Sequence, residues 1–335
     1  MDHVIETHNL TKIYGDKYIA LNGANLAVPQ GGIFGLVGPN GAGKTTTIRM
    51  LLGLHKPTAG SVLLFGEPMT PNAVHLRRRI GFLPTNPRFP KEMTPIGYLD
   101  FVGKISGLPS EVRKPRLAML LRAVGLLSAA SQKVKGFSTG MTTRLGIAAS
   151  LMNDPDLLIW DEPTAGLDPE GHKYTLDLIR ELGETKTILV SSHNLADIKR
   201  ICSHIAILSD GRLIFSGTMR DMRSLTRSSA LELELDGDPE RLRAALTSSA
   251  ISLRWELDRQ SLKLYFSHDE PMAVGLSQVL QCIVAADARL LAVNSLHDEV
   301  VDAFIHLLEE ERSHGFSRIL RLEPENHGVS GAAGS

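Results

Sequence analysis

The sequence predicts an α/β protein with a phosphate-binding loop, a helical insertion and a smaller α+β domain at its carboxyl end. A glycine-rich loop at residues 38–45 stands between an apolar strand and a helix. Strands alternate with helices over residues 157–215, which favours a mainly parallel sheet with helices on both faces. After residue 226 the order strand, helix, strand, strand, helix, strand predicts a separate ferredoxin-like domain.

The amino-terminal part of the chain is rich in predicted strands. Apolar and polar residues alternate over residues 4–28, and turn signals at residues 14–16 and 21–23 predict antiparallel strands with tight connections. A buried strand at residues 33–37 leads into the glycine-rich loop, which a helix follows directly. A further strand is predicted at residues 61–65.

A helical insertion is predicted between these strands and the later α/β pattern. Thr94 is a good N-cap residue and Pro95 suits the first helical position, so a helix is expected to begin there. Ser110 is predicted to cap the next helix, whose apolar residues recur at helical spacing up to Val124. The insertion is predicted to span about residues 86–153.

Composition and charge limit the possible functions. The 335 residues allow two or three domains, and a net charge of −1 gives no basic excess for general nucleic-acid binding. Apolar runs fall short of the roughly 20 residues that cross a bilayer, and no secretory signal is recognisable. Cys202 and Cys282 lack metal-ligand spacing, so buried thiols in a reducing compartment are expected. These features predict a cytoplasmic location.

The loop at residues 38–45 fits the pattern G-x-x-x-x-G-K-[ST]. Its glycines let backbone N–H groups converge on a phosphate, and the next helix directs its amino-terminal end to the same point. Lys44 adds a full charge toward the β- and γ-phosphates, and the Thr45 hydroxyl is placed to bind Mg²⁺. The sequence therefore predicts a nucleotide site here.

Two acids end the apolar strand predicted at residues 157–160. In a nucleotide-binding fold the first acid, Asp161, would hold Mg²⁺, and the second, Glu162, would take a proton from the attacking water. Acids at the end of a strand can also be solvated turn residues. The phosphate loop upstream favours the functional interpretation.

Residues 137–141, Phe-Ser-Thr-Gly-Met, form a third motif between the loop and the acids. With the phosphate loop, the helical insertion, the paired acids and a later histidine, this motif resembles the ATPase domain of ATP-binding cassette (ABC) transporters, whose signature is near Leu-Ser-Gly-Gly-Gln. The resemblance covers residues 4–215. It implies a P-loop NTPase of ABC type with an antiparallel β subdomain, ATP and Mg²⁺ as cofactors, and two subunits that sandwich the nucleotides.

The resemblance also implies a role for each motif residue. Glu162 would be the catalytic base, His193 the sensor of the γ-phosphate and Lys44 the cation beside it. Asp168 would lie at the subunit junction, although a helix N-cap role explains it as well. The expected Mg²⁺ ligands are Thr45, Asp161 and Thr85. The expected nucleotide-binding residues are Tyr14, Gly38, Pro39, Asn40, Gly41, Ala42, Gly43, Lys44, Thr45, Thr46, Ser138 and Gly140.

Some of these assignments leave alternatives open. Tyr14 would stack on adenine, but it also fits an ordinary turn tyrosine. Thr85 stands where the family usually has glutamine, and its shorter hydroxyl would reach Mg²⁺ less easily, while Asn86 should point away if the segment is extended. Thr139 stands where a glycine is usual. The two threonines put the turnover rate in question and leave room for a heterodimer with one weaker site.

The domain bounds predicted from the sequence are an ATPase domain at residues 1–222, a ferredoxin-like domain at residues 228–312 and a disordered tail at residues 313–335. Residues 294–304 are similar to the closing helix of ATPases from bacterial exporters of drugs, polysaccharides or antibiotics. This similarity favours the ATPase subunit of an exporter. Such a subunit would form a dimer and attach to the inner face of the cell membrane through a separate permease, docked near residues 85–98.

Two other functions remain open at this point. A soluble ABC ATPase that acts on ribosomes or DNA would usually carry two cassettes or a long coiled coil, neither of which the sequence contains. A regulatory module that binds nucleotide but hydrolyses little is suggested by Thr85 and Thr139. No nucleic-acid partner is expected.

Overall fold

The computed structural model describes residues 3–15, 17–225, 229–249, 251, 253–266, 272–295, 299–313 and 318. The chain forms two compact units: unit 1 comprises residues 1–216 and 314–335, and unit 2 comprises residues 217–313. Unit 2 begins a few residues before the predicted boundary at residue 222, because the helix Met219–Ser224 packs against the helix Glu299–Ser313. Most of the predicted tail lies outside the described residues.

The strands and helices follow in chain order. The strands are β1 His3–Tyr14, β2 Tyr18–Ala24, β3 Ala27–Pro29, β4 Gly32–Val37, β5 Ala59–Leu64, β6 Glu67–Pro68, β7 Ile80–Leu83, β8 Leu157–Asp161, β9 Thr187–Ser192, β10 His204–Ser209, β11 Arg212–Thr218, β12 Ser229–Asp236, β13 Arg254–Asp258, β14 Ser261–Phe266 and β15 Arg289–Ser295. The α-helices are α1 Lys44–Leu51, α2 Val74–Arg78, α3 Pro95–Ile105, α4 Ser110–Ala123, α5 Thr139–Ser150, α6 Pro169–Gly183, α7 Leu195–Ile201, α8 Met219–Ser224, α9 Pro239–Ser248, α10 Met272–Ala285 and α11 Glu299–Ser313.

A six-stranded sheet with the order β11-β10-β4-β9-β8-β7 positions the functional residues of unit 1. The pairs β10–β4, β4–β9, β9–β8 and β8–β7 are parallel. Parallel strands place their carboxyl ends at one edge, which is where ligands bind in open α/β sheets. The segments that follow β4, β8 and β9 therefore meet at the same edge.

The predicted antiparallel strands at the amino terminus form a second sheet, in which β1 pairs with β2, β3 and β5. The turn predicted at residues 21–23 is wrong, because these residues lie inside β2. Leu21 is buried and faces Lys12 across the pair. The pairing is irregular between Leu21 and Ala24, where β2 has one extra residue and Gly23 takes a positive φ of 60° without ending the strand.

One hydrophobic core joins the two sheets of unit 1. Ile5 and Leu64 belong to the antiparallel sheet, Leu36 and Leu208 to the parallel sheet, and Leu51 to α1, and each is at most 1% exposed. Burying large aliphatic side chains stabilises a fold by about 1.5–3 kcal/mol each. This packing fixes α1, and hence the loop before it, against both sheets.

The helical insertion contains α3, α4 and α5. The Thr94 side chain accepts a hydrogen bond from the Gly97 N–H at 3.1 Å, so the predicted N-cap is confirmed. The cap predicted at Ser110 is wrong, because Ser110 is already the first residue of α4 and Pro109 occupies the N-cap position without a side-chain bond.

Unit 2 has the predicted ferredoxin-like arrangement. Its four strands pair in the order β13-β14-β12-β15, all antiparallel. Leu233, Leu262 and Leu264 from the sheet join Val279 and Ile283 of α10 in one core. Neither unit shows, in the residues described, a helix with the length and hydropathy to cross a membrane.

Both cysteines are buried, as predicted. Burial raises the pKa of the Cys202 thiol, which favours its protonated form.

Candidate nucleotide site

The glycine-rich loop lies between β4 and α1 and packs closely against neighbouring backbone. A Cβ added to Gly38 would overlap the carbonyl oxygen of Leu208, and one added to Gly43 would lie 2.7 Å from the carbonyl oxygen of Ala20. Gly43 also has a φ of 113°. Glycine is required at both positions, and the resulting loop closes around the amino-terminal end of α1.

The Lys44 ammonium lies at the centre of this loop. Its Nζ donates to the carbonyl oxygens of Gly38 at 2.7 Å and Pro39 at 3.3 Å. It also forms an ion pair with Glu162, at 3.2 Å from Oε1, and its side chain is only 6% exposed. A buried ammonium needs several acceptors to offset the loss of hydration, and an entering phosphate would supply further ones.

Thr45 and Asp161 are brought together from α1 and the end of β8. The Thr45 hydroxyl donates to Asp161 Oδ2 at 2.9 Å, and the Ser191 hydroxyl donates to Oδ1 at 2.5 Å. A hydroxyl oxygen and a carboxylate oxygen at this spacing are hard ligands of the kind that Mg²⁺ prefers. These residues therefore fit a magnesium ion beside the loop.

Glu162 links the loop to the end of β9. Its Oε2 lies 2.7 Å from His193 Nδ1, while Oε1 faces Lys44. Its backbone N–H donates to Ser191, both to the hydroxyl at 3.0 Å and to the carbonyl at 3.2 Å. Glu162 has a φ of 52°, in the left-handed region that residues other than glycine adopt uncommonly. The structure thus places the three predicted catalytic residues in one cluster.

Thr85 lines the same region but points at the backbone. Its hydroxyl donates to the carbonyl oxygen of Asp161 at 3.1 Å. The segment is not extended at the neighbouring residue, because Asn86 has a φ of 50° and the chain bends there. Thr85 is therefore near the Asp161 backbone, and a bridging water would extend its reach to a metal.

A cavity of about 390 Å³ opens over these residues. Its walls include residues 40–46, Thr85, Glu162 and His193, together with Tyr14 from the antiparallel sheet. The volume is in the range of small-molecule sites. Loop residues 40–46, Glu162 and the predicted adenine-stacking Tyr14 thus share one cavity, and Asp161 is bonded to Thr45 in its wall.

Tyr14 has a partner of its own in this cavity. Its hydroxyl lies 2.7 Å from His55 Nδ1, and the two rings meet edge to face with centroids 5.9 Å apart. Burial, followed by the charges of Arg49 and Lys12, lowers the pKa of His55. The imidazole is therefore neutral at neutral pH, and the Tyr14 hydroxyl can donate to it.

The signature residues lie elsewhere on the surface. Ser138 is exposed at the start of α5, where its hydroxyl oxygen accepts from the Met141 N–H at 3.2 Å. Neither Ser138 nor Gly140 lines the cavity beside Lys44. Asp168 caps α6 by accepting from the Gly171 N–H at 3.3 Å. One chain therefore presents two separate anion-seeking helix ends.

Three residues near the cavity were missed in the sequence. Ser191 holds both Asp161 and the Glu162 backbone, and its position just before Ser192 and His193 was the available signal. Tyr18 and Arg318 also line the cavity. Nothing in the local sequence pattern indicated either of them.

Comparisons with known proteins identify relatives of this chain in sequence and in fold. The ABC transporter family model matches residues 21–165. Nod factor export ATP-binding protein I of Cupriavidus metallidurans is 36% identical over 278 residues, which cover 82% of this chain and 90% of that protein. A solved ATP-binding subunit of an ABC transporter aligns with a TM-score of 0.61 and 32% identity, over 66% of this chain and 92% of its own. An ATP-binding cassette solved as a dimer in a post-hydrolysis state with ADP and Pi aligns with a TM-score of 0.59 and 26% identity, over 64% of this chain and 99% of its own.

Proposed function

The chain belongs to the ABC transporter family as an ATP-binding subunit and ATPase, and from this membership we propose that it powers the separate permease of an exporter. The observation that carries the proposal is the convergence of Lys44, Glu162 and His193 on one cavity, with Asp161 bonded to Thr45 of the cavity wall. A cation, a metal ligand, a carboxylate base and a hydrogen-bonding imidazole are the groups that phosphoryl transfer to water requires.

Each residue has a distinct proposed role. The loop residues Gly38 to Thr46 bind the phosphates, and Lys44 stabilises the charge that develops on the γ-phosphate. Thr45, Asp161 and, through water, Thr85 would hold Mg²⁺, which supplies further neutralisation of phosphate charge when bound. Glu162 accepts the proton of the attacking water, and His193 holds the Glu162 carboxylate in place at 2.7 Å.

We further propose that two chains close around the nucleotides. Ser138 and Gly140 lie outside the Lys44 cavity, at an exposed helix end that attracts anions. A second chain related by a two-fold axis would bring this end to the γ-phosphate held by the first, which completes two equal sites. A similar cassette solved as a dimer with ADP and Pi supports the formation of a dimer.

The permease would bind beside the helical insertion. A cavity of about 430 Å³ between β7 and α3 is lined by Phe82, Tyr98, Val102 and Ile105, and Ile105 is 68% exposed. Arg77, Arg78 and Asn153 also line this groove, so its surface is part apolar and part polar, and a short amphipathic helix of a partner would fit it. Phe89, within the predicted docking segment 85–98, packs edge to face on Tyr98 at 4.7 Å between ring centroids.

The export direction rests on similarity beyond the ATPase core. The aligned Nod factor export protein matches 82% of this chain, more than unit 1 alone accounts for. The sequence similarity of residues 294–304 to exporter ATPases points the same way, and α11 begins within that stretch. We propose a location at the inner face of the cell membrane, where a permease would hold the subunit.

Sedimentation with the Glu162→Gln variant tests the ATP-driven dimer. Removing a general base slows hydrolysis by about 100-fold or more, so ATP should persist and hold the dimer closed. Wild-type chain with ADP should sediment as monomer, and the variant with ATP and Mg²⁺ as dimer. A variant that stays monomeric with ATP and hydrolyses it at the wild-type rate would refute the proposed roles.

Purification of tagged full-length chain from membranes tests the partner. A polytopic membrane protein should co-purify and be lost when Ile105 is changed to Asp. Co-purification with ribosomes or DNA instead would favour the mechanical-switch alternative. Nucleotide binding without measurable hydrolysis would favour the regulatory module.

A further inference from the structure

Arg318 lies far along the chain from the site but contacts it directly. Its side chain donates three hydrogen bonds to backbone carbonyl oxygens: Nε to Ile19 at 3.0 Å, Nη2 to Ala20 at 3.0 Å, and Nη1 to Gly41 at 2.7 Å. Its own carbonyl oxygen accepts from the Ile19 N–H at 2.9 Å. Four bonds therefore join this residue to β2 and to the phosphate loop.

The guanidinium also packs on an aromatic ring. Its central carbon lies 4.9 Å from the centroid of the Tyr18 ring, within the range of a cation–π contact. Both side chains line the cavity that contains Lys44. Arginine has five N–H donors in a rigid plane, so three bonds leave two donors available for a ligand.

Arg318 contacts a different part of the phosphate loop from Lys44. Lys44 fills the cradle and bonds to Gly38 and Pro39, whereas Arg318 bonds to Gly41 and to the strand beside it. Tyr14, proposed to stack on the base, lines the same cavity from the antiparallel sheet. Arg318 thus lines the same cavity as the groups expected to hold the two ends of a nucleotide.

We propose that Arg318 is a nucleotide-binding residue, which donates its free N–H groups to the ribose and the α-phosphate. This inference rests on the nucleotide site proposed above. A planar cation with fixed donors suits both hydroxyl and phosphate oxygens, and its backbone bonds hold it in position before the ligand arrives. This contact adds to the nucleotide site a residue that lies outside the ATPase motifs.

Equilibrium binding of fluorescent ATP and ADP analogues to the full chain tests the proposal. Arg318→Ala should weaken both nucleotides by about the same factor, roughly tenfold, because ribose and α-phosphate are common to them. Arg318→Lys should keep the charge but lose the planar arrangement of donors, so the affinity for both nucleotides should fall about threefold. Arg254→Ala is the matched control, since Arg254 also covers a tyrosine ring, at 5.0 Å, but lies in unit 2.

A Lys44→Ala variant distinguishes failure of this inference from failure of the site. Lys44→Ala should weaken ATP more than ADP, because Lys44 is directed to the terminal phosphates. If Lys44→Ala binds both nucleotides normally, the nucleotide site itself is wrongly placed. If Lys44→Ala loses binding while Arg318→Ala binds unchanged or more tightly, the proposed role of Arg318 is wrong.

Hydrogen exchange of the unmodified chain gives a second test that needs no variant. The Ile19 amide is bonded to the Arg318 carbonyl, so its exchange reports on this contact. ATP or ADP should slow Ile19 exchange about tenfold if the nucleotide and Arg318 bind together. Faster exchange with nucleotide would mean that the ligand displaces Arg318, which contradicts the proposal.

Discussion

The phosphate loop and the start of α5 are two turns that lead into helices, yet they differ in their surroundings. The loop belongs to a buried cluster in which Lys44 is 6% exposed and Glu162 11% exposed, and these two side chains form an ion pair. The start of α5 presents Ser138 and Thr139 on the surface, with only the Met141 N–H capped by Ser138. The phosphate loop is therefore a buried binding surface within one chain. The start of α5 can also bind an anion, but it is exposed to solvent.

This difference indicates why one chain should bind ATP but not complete its hydrolysis. Electrostatic stabilisation of a transition state is strong only where water is excluded and donors are fixed. The loop meets this condition within one chain, whereas the exposed Ser138 meets it only against another surface. The comparison therefore predicts that defects in the two turns have separable consequences.

The largest expected effect comes from damaging the two turns separately and then together. Lys44→Ala should lower ATP binding and hydrolysis by about 100-fold, since it removes the central charge of the cradle. Ser138→Arg should leave ATP binding within about twofold of wild type, because the cradle is intact. It should lower hydrolysis by about 100-fold, as Lys44→Ala does, because it blocks the surface that faces the second chain. Nucleotide binding and phosphate release are measured on each variant.

Mixing the two variants provides the strictest control. In a two-fold dimer of one Lys44→Ala and one Ser138→Arg chain, one site contains both defects and the other contains neither. An equal mixture should recover about a quarter of the wild-type rate, because half of the dimers are mixed and each has one intact site. No recovery would mean that the two turns do not meet across a dimer. Asp238→Arg, which removes an N-cap in unit 2, should leave the rate unchanged.

A smaller effect is expected at Thr139, the branched residue beside Ser138. Thr139→Gly should raise hydrolysis by about threefold, because it lets the start of α5 approach the nucleotide more closely. Thr139→Ser keeps the hydroxyl and loses only the methyl group. Its hydrolysis rate should lie between those of wild type and Thr139→Gly. A rate that falls in the order threonine, serine, glycine would show that Thr139 supports the closed state.

The smallest effect concerns the edge of the buried turn, where His55 bonds to Tyr14. The folded-state pKa of His55 is lowered from its usual value of about 6.5 by burial and two cations. The unfolded chain therefore binds more protons, and this contribution to stability is full above pH 6.5 and is lost as the pH falls through the folded pKa. When the pH is lowered from 7.5 to 5.0, the melting temperature should fall further for wild type than for His55→Gln. An equal fall in melting temperature for both proteins would contradict the lowered pKa of His55.

The sequence was informative where function depends on neighbouring residues. The phosphate loop, the acids that end β8 and the helix start at Thr94 follow from local chemistry, and the structure has them as predicted. The turn expected at residues 21–23 failed because the tertiary burial of Leu21 outweighs the turn preference of Asn and Gly. The N-cap expected at Ser110 lies one residue earlier, at Pro109. Side-chain preferences alone do not locate a helix end to a single residue.

The contact of Arg318 with the loop was beyond sequence reasoning for a different reason. It joins residues separated by 277 positions along the chain, and no periodicity or motif encodes such a pair. The bend at Asn86 likewise depends on how Thr85 reaches the Asp161 carbonyl across the sheet edge. Both features follow from the packed fold rather than from local preference.

The left-handed backbone of Glu162 has a consequence for how this protein can change. A residue with a side chain pays of order 1 kcal/mol to adopt that conformation, and glycine does not. A change to glycine would relax the backbone yet remove the carboxylate. Selection for thermal robustness and selection for turnover therefore oppose each other at this residue, and a stabilised descendant that lost its acid would keep the fold as an inert nucleotide binder.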